Sequence, residues 1–131
     1  MDKATRDIVI ERAGNACEYC RLPQSAQPFV SFHVDHVVAT QHRPDDGLDN
    51  LCLSGQSCNL HKGTNLTTID LVSGKIVRVF DPRNETWNDH FQIADFIIVG
   101  KTDVGRAAAR LLAMNKPSRV ELRQLHGIGG E

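Results

Sequence analysis

The sequence predicts an α+β domain. Three observations carry that expectation: short β-branched and aromatic runs in the middle of the chain, longer helical apolar stripes towards its two ends, and two cysteine pairs set apart by more than thirty residues. At 131 residues, against roughly 100 to 200 per domain, the chain is read as one unit over residues 1–126, with 127–131 expected to fray as a flexible tail. Hydrophobic residues make up 40% and charged residues 24%, enough apolar surface for a real core.

Taken in order, residues 5–16 place Ile8, Val9, Ala13 and Ala16 on one helical side, and Gly14-Asn15 supplies the stop. Pro23 and Pro28 break regular structure. The run from Phe29 to Val38 reads as a strand, residues 40–49 as a loop, and Leu51-Cys52-Leu53 as a short returning strand. A helix opens near Ser57 or Cys58. Residues 69–71 and 75–80 form a hairpin about Ser73-Gly74, and 96–99 another strand. Val104, Ala107, Ala108, Leu111 and Leu112 then predict a helix over 103–114 with Arg106 and Arg110 off its stripe, and a last short helix spans 119–125 after Pro117.

Charge and hydropathy exclude some classes. The longest strictly apolar runs are four residues, whereas a membrane-spanning helix needs about 20, so no membrane partner is expected. The first residues show no secretory signal, which makes a cytoplasmic location the default expectation. A net charge of -1 predicts no strong overall field for polyanions. Locally, residues 101–126 hold six basic and two acidic residues, a cluster that fits either a solvated helix face or phosphate contacts. Oligomeric state is not legible.

The four cysteines point to metal. Cys17 and Cys20 form a C-x2-C pair, and Cys52 and Cys58 a looser second pair. In a reducing compartment two such pairs present thiolates to one tetrahedral ion and pin distant segments together, which reads as structural zinc. A lone C-x2-C also suits a redox pair, but that leaves the second pair unexplained.

The remaining chemistry lies between residues 33 and 63. Asp35-His36 sits in the predicted strand, Asn50 closes the loop in Leu48-Asp49-Asn50-Leu51, and Cys58-Asn59-Leu60-His61-Lys62-Gly63 opens the helix. In these residues, in the 14 positions from His36 to Asn50 and in the 9 from Asn50 to Asn59, the chain resembles the HNH endonuclease family. The upstream C-x2-C and the cysteine before Asn59 resemble its bacterial, zinc-containing branch, as do Glu18-Tyr19 and the downstream Trp87-x-x-His90-Phe91.

The resemblance implies a ββα-metal (His-Me finger) core at about residues 29–66, stapled by zinc, with an added β-hairpin and C-terminal helices. It implies a nuclease that hydrolyses phosphodiesters in DNA, duplex DNA by family expectation, with Mg²⁺ or Mn²⁺ at the reacting phosphate. His36 would be the general base, as imidazole is the side chain that ordinarily titrates near neutrality. Asp35 and Asn59 would offer the hard oxygen atoms such ions prefer. Asn50 would tie the loop and orient His36.

Several assignments stay open at this stage. His61, about 200° round a regular helix from Asn59, shares that ion only if the helix starts late; alternatively it joins Cys58, three residues earlier, at the zinc. His33 shares a strand face with Asp35 and either contacts the same ion or packs. Consecutive strand residues face opposite ways, so Asp35 and His36 require a strand end, a distortion, or approach from different sides. The family's third cysteine falls at Gly55 here, so the zinc set is expected to be Cys17, Cys20, Cys52 and Cys58, with His61 or water as the alternative fourth ligand. Arg43, Lys62, Arg106 and Arg110 are the candidate phosphate contacts. Against the nuclease stand a catalytically silent zinc-binding nucleic-acid or protein-interaction module, and a thiol redox protein.

Overall fold

The computed structural model describes residues 1–130. Helix α1 (Lys3–Arg12) starts where the Asp2 carboxylate accepts the Thr5 N–H at 2.7 Å, and buries Val9. It ends before the expected Ala16, because Gly14 and Asn15 both take left-handed φ values of 62° and 53°. The chain then turns tightly through residues 16–23. Ala16 bridges Pro23, the Cys17 N–H donates to the Leu22 carbonyl at 2.9 Å, and the Arg21 N–H donates back to the Cys17 carbonyl at 3.0 Å.

The expected ten-residue strand shrinks to β1 (His33–His36). A side chain explains the loss: the Gln24 amide donates to the Gln27 and Val30 carbonyls and accepts the Phe32 N–H, supplying the backbone bonds that a ladder would otherwise provide. Strand β2 (Leu51–Ser54) pairs antiparallel with β1, setting Asp35 opposite Cys52 and His36 opposite Leu51. Helix α2 (Gln56–Lys62) follows at once, with Gly55 as its N-cap.

Two further hairpins complete the strands. β3 (Thr67–Ile69) pairs with β4 (Ile76–Arg78), and the short helix α3 (Trp87–His90) leads into β5 (Phe91–Ala94), which pairs with β6 (Ile97–Gly100). Helix α4 (Asp103–Leu111) packs on β6 and on the β3/β4 hairpin. It comes very close at Gly105, where an added Cβ would stand 2.0 Å from the His90 carbonyl oxygen. Helix α5 (Pro117–His126) begins on Pro117 and is closed by Gly127 at φ 66°. Of the expected tail, the Gly129 carbonyl accepts the Phe96 N–H at 2.9 Å, and Glu131 lies outside the described residues.

The described residues thus form a mixed helix-and-strand fold with three separate two-stranded sheets. One apolar core runs through it, built on Tyr19, Phe32, Leu53, Phe80, Phe91 and Leu112. Among the described residues no helix is long and apolar enough to cross a membrane.

Candidate functional site

Two groups of side chains meet on the β1, β2 and α2 frame. The first surrounds the end of β1. Asp35 and His36 leave the strand on opposite faces, as the pleat requires, and each finds its own partner. Asp35 turns inward, where Lys62 Nζ stands 3.2 Å from its Oδ2. That contact lacks hydrogen-bond alignment, so Oδ2 is a buried oxygen without a hydrogen-bond partner among the described residues. Burial pushes the Asp35 carboxyl above the usual carboxylate range, and the Lys62 ammonium offsets this only in part.

His36 is the last residue of β1, so the strand does end at the pair. Its Nε2 lies 2.8 Å from Asp46 Oδ1, on the loop that connects β1 to β2. Asn50 holds that loop in shape: it is buried, its Oδ1 accepts the Val38 N–H at 2.9 Å, and its Nδ2 donates to the Val38 carbonyl at 3.1 Å and the Asp45 carbonyl at 2.9 Å. Asn50 therefore reaches His36 through the backbone next to Asp46. Asp46 was not anticipated, because Arg43-Pro44-Asp45-Asp46-Gly47 reads as turn chemistry; only the fold-back of Asn50 onto Asp45 brings its carboxylate over the imidazole.

Asn59 is half-buried on α2 and stands one helical turn before Lys62, so the two share the side that meets β1. Lys62 is not a surface phosphate contact. It is 1% exposed, and besides Asp35 it donates to the His36 carbonyl at 3.0 Å, so its cation is used inside the fold. His61 turns back on its own helix, where its Nδ1 lies 2.8 Å from the Ser57 carbonyl, and it is not among the residues that gather at the thiols. His33 is exposed at the start of β1.

The second group is a thiol cluster. Cys17 and Cys20 from the tight turn and Cys58 from α2 are buried, and their sulfur atoms all lie within 4.8 Å of one another. Three convergent thiols of this spacing fit a soft ion, since Zn–S bonds of about 2.3 Å place tetrahedral sulfurs just under 4 Å apart. Cys52 does not join them. As a β2 residue opposite Asp35 it packs against the Tyr19 hydroxyl at 3.7 Å, and burial pushes its thiol far up. Within the cluster, Cys20 is held well below the ordinary thiol range by hydrogen bonds from Cys17 and Cys58, with the Arg119 guanidinium adding to the effect. Burial pushes Cys17 up to about 12. Arg119 Nη2 stands 2.7 Å from Cys20 Sγ.

Half of the basic cluster of residues 101–126 also resolves into internal contacts, while Lys101, Arg110 and Lys116 stay exposed. Arg119 and Arg123 are buried, and Arg106 is not free for phosphate because its Nε and Nη2 pair with both oxygens of buried Asp70, at 3.2 and 2.8 Å. Arg110 and Arg43 stay exposed, the latter 3.6 Å from Asp45.

Residues 17–65 match the family model described as HNH endonuclease, so the likeness read from the sequence holds over the segment that contains both groups of side chains. No curated protein and no solved structure matches the chain.

Proposed function

Proceeding from an HNH endonuclease match over residues 17–65, we propose that the protein is a metal-dependent nuclease that hydrolyses phosphodiester bonds in DNA, duplex DNA in the first instance. The observation that carries this reading is the end of β1. There a buried carboxylate oxygen of Asp35 lacks a hydrogen bond, and the next residue, His36, has its Nε2 held by Asp46 on the other face of the strand.

In this reading β1, β2 and α2 form the ββα-metal core. Phosphodiester hydrolysis needs an activated water and neutralised charge on the phosphate and the departing oxygen. Asp46 fixes the His36 ring by Nε2 and leaves Nδ1 as the nitrogen that takes the proton from water, the same division of labour by which a carboxylate orients a catalytic imidazole elsewhere. Asp35 and Asn59 hold a Mg²⁺- or Mn²⁺-class ion, which when bound supplies Lewis-acid stabilisation of the phosphate. Lys62 favours the ionised form of Asp35 against its burial and anchors the His36 carbonyl, and Asn50 sets the loop that carries Asp46. Arg43 and Arg110 remain as phosphate contacts. Cys17, Cys20 and Cys58 bind zinc, which ties the tight turn to α2 and contributes folding energy directly.

Plasmid nicking with Mg²⁺ or Mn²⁺ tests the proposal against His36→Ala. Cleavage by the native protein, lost in the variant while its fold and thiol-bound metal persist, supports the nuclease. Equal inactivity of both proteins across metals and DNA substrates refutes it and leaves a silent zinc-binding module.

A further inference from the structure

The thiol cluster has three sulfur donors, and a cation stands against one of them. Cys52 packs on Tyr19 and His61 on its own helix, so neither supplies a fourth donor. Gly55 offers no side chain, and a Cβ built there would meet the Phe32 ring at 3.6 Å and Cys17 Cβ at 3.7 Å, in ordinary contact. From the far end of the chain, Arg119 of α5 reaches in, with Nη2 at 2.7 Å from Cys20 Sγ across a sequence separation of 99 residues. It is 3% exposed, and its Nη1 is buried with no hydrogen-bond partner among the described residues. A buried guanidinium with unspent donors, placed against a sulfur cluster, is chemically suited to a site of net negative charge.

We propose that Arg119 takes the place of a fourth protein ligand, as the outer charge partner of a three-thiolate metal centre formed by Cys17, Cys20 and Cys58. The inference rests on the reading of those cysteines as a metal site. A divalent ion with three thiolates carries one net negative charge, which a single guanidinium cancels; a fourth thiolate would leave a buried charge unbalanced. Because Arg119 belongs to α5, ion binding at the tight turn and docking of the C-terminal helix become one event. Arg119 is a positioning residue for this centre and touches no substrate.

The test uses the full chain under reducing conditions, with zinc affinity read by competition against a chromophoric chelator. The number of thiolate ligands is read from the sulfur-to-metal charge-transfer band of the Co²⁺-substituted protein. Helix docking is read by hydrogen exchange in residues 117–126. Cys52→Ser is expected to bind one ion with native affinity and an unchanged band. Arg119→Met is expected to weaken zinc by about ten- to a hundredfold, the range for outer-shell partners, with Arg119→Lys recovering part of it. In the unmutated protein, chelating zinc is expected to speed exchange in residues 117–126 as well as in the tight turn, a readout that does not depend on any variant folding. Native affinity in Arg119→Met, a weaker band in Cys52→Ser, or exchange in α5 that ignores zinc would each overturn the inference. A native protein that takes up neither Zn²⁺ nor Co²⁺ would instead overturn the underlying metal site.

Discussion

Replacing Lys62 by methionine keeps the stem of a buried side chain and removes its charged tip. Lys62 is 1% exposed and Asp35 15%, so the variant leaves a carboxylate with little solvent and no counter-ion. Removing one partner of a buried pair costs about 3 to 5 kcal/mol when burial is complete. The carboxyl can escape by taking a proton, which for an ordinary carboxyl near pH 4 costs about 4 kcal/mol at pH 7 and so caps the charge penalty. With Asp35 still partly solvated, the expected loss is about 3 kcal/mol, or about 10 °C in Tm for a chain of this size. The sign with pH follows from the same step. Without Lys62 the folded-state pKa of Asp35 rises further above its unfolded value, so the penalty is full above that folded pKa. It shrinks as pH falls through that folded pKa and is gone below the unfolded value of about 4, where the group is protonated in both states. Chemical denaturation at pH 7 and pH 4.5, with the thiol site loaded, measures both effects. A double-mutant cycle with Asp35→Asn isolates the pair, because the double variant should lose much less than the sum of the singles. A loss under about 1 kcal/mol, a deficit independent of pH, or additivity in the cycle would refute the reasoning.

Asn50→Ala removes three backbone hydrogen bonds from the loop and should cost about 2 to 4 kcal/mol in denaturant titrations, with a fall in nicking as Asp46 loses its support. Asp46→Ala leaves the ring of His36 unheld; nicking should drop about tenfold or more while the melting temperature of this exposed position barely moves. Asp70 is held well below the usual carboxylate range by its hydrogen bonds from Arg106, so the stability it contributes is present above the unfolded pKa and is lost on acidification. Thermal melts from pH 6 to pH 2 should therefore fall less steeply for Asp70→Asn than for the native chain.

Local pattern made the antiparallel pair and the helix after it readable: Asp35-His36, Asn50-Leu51 and Cys58-Asn59 all fall where β1, β2 and α2 form. The helical stripe from Val104 to Leu111 is α4, though the helix stops at Leu111 instead of running to 114. What was not readable depends on partners distant in sequence. Nothing local says that Arg119 and Arg123 turn inward on α5, yet Arg123 is fully buried and donates to the Phe96 and Met114 carbonyls. Lys62 looks like a surface cation until Asp35 is set above it. Strand β5 escaped notice because its turn uses Asp95 and Phe96 at φ 51° and 65°, where a glycine or asparagine is the usual signal. Cys52 misled because spacing along the chain counts residues, whereas its β2 register opposite Asp35 decides where the sulfur goes.

Trp87 is the chain's single tryptophan, and its indole N–H donates to the Tyr19 carbonyl at 2.7 Å, between the two cysteines of the tight turn, with the Arg21 guanidinium 4.7 Å from the ring. The fold has thus placed its one strong fluorophore on the segment that an ion would stiffen. Emission from this indole reports the state of that turn first, so loss of the ion and collapse of the remaining structure should register as two separable optical changes.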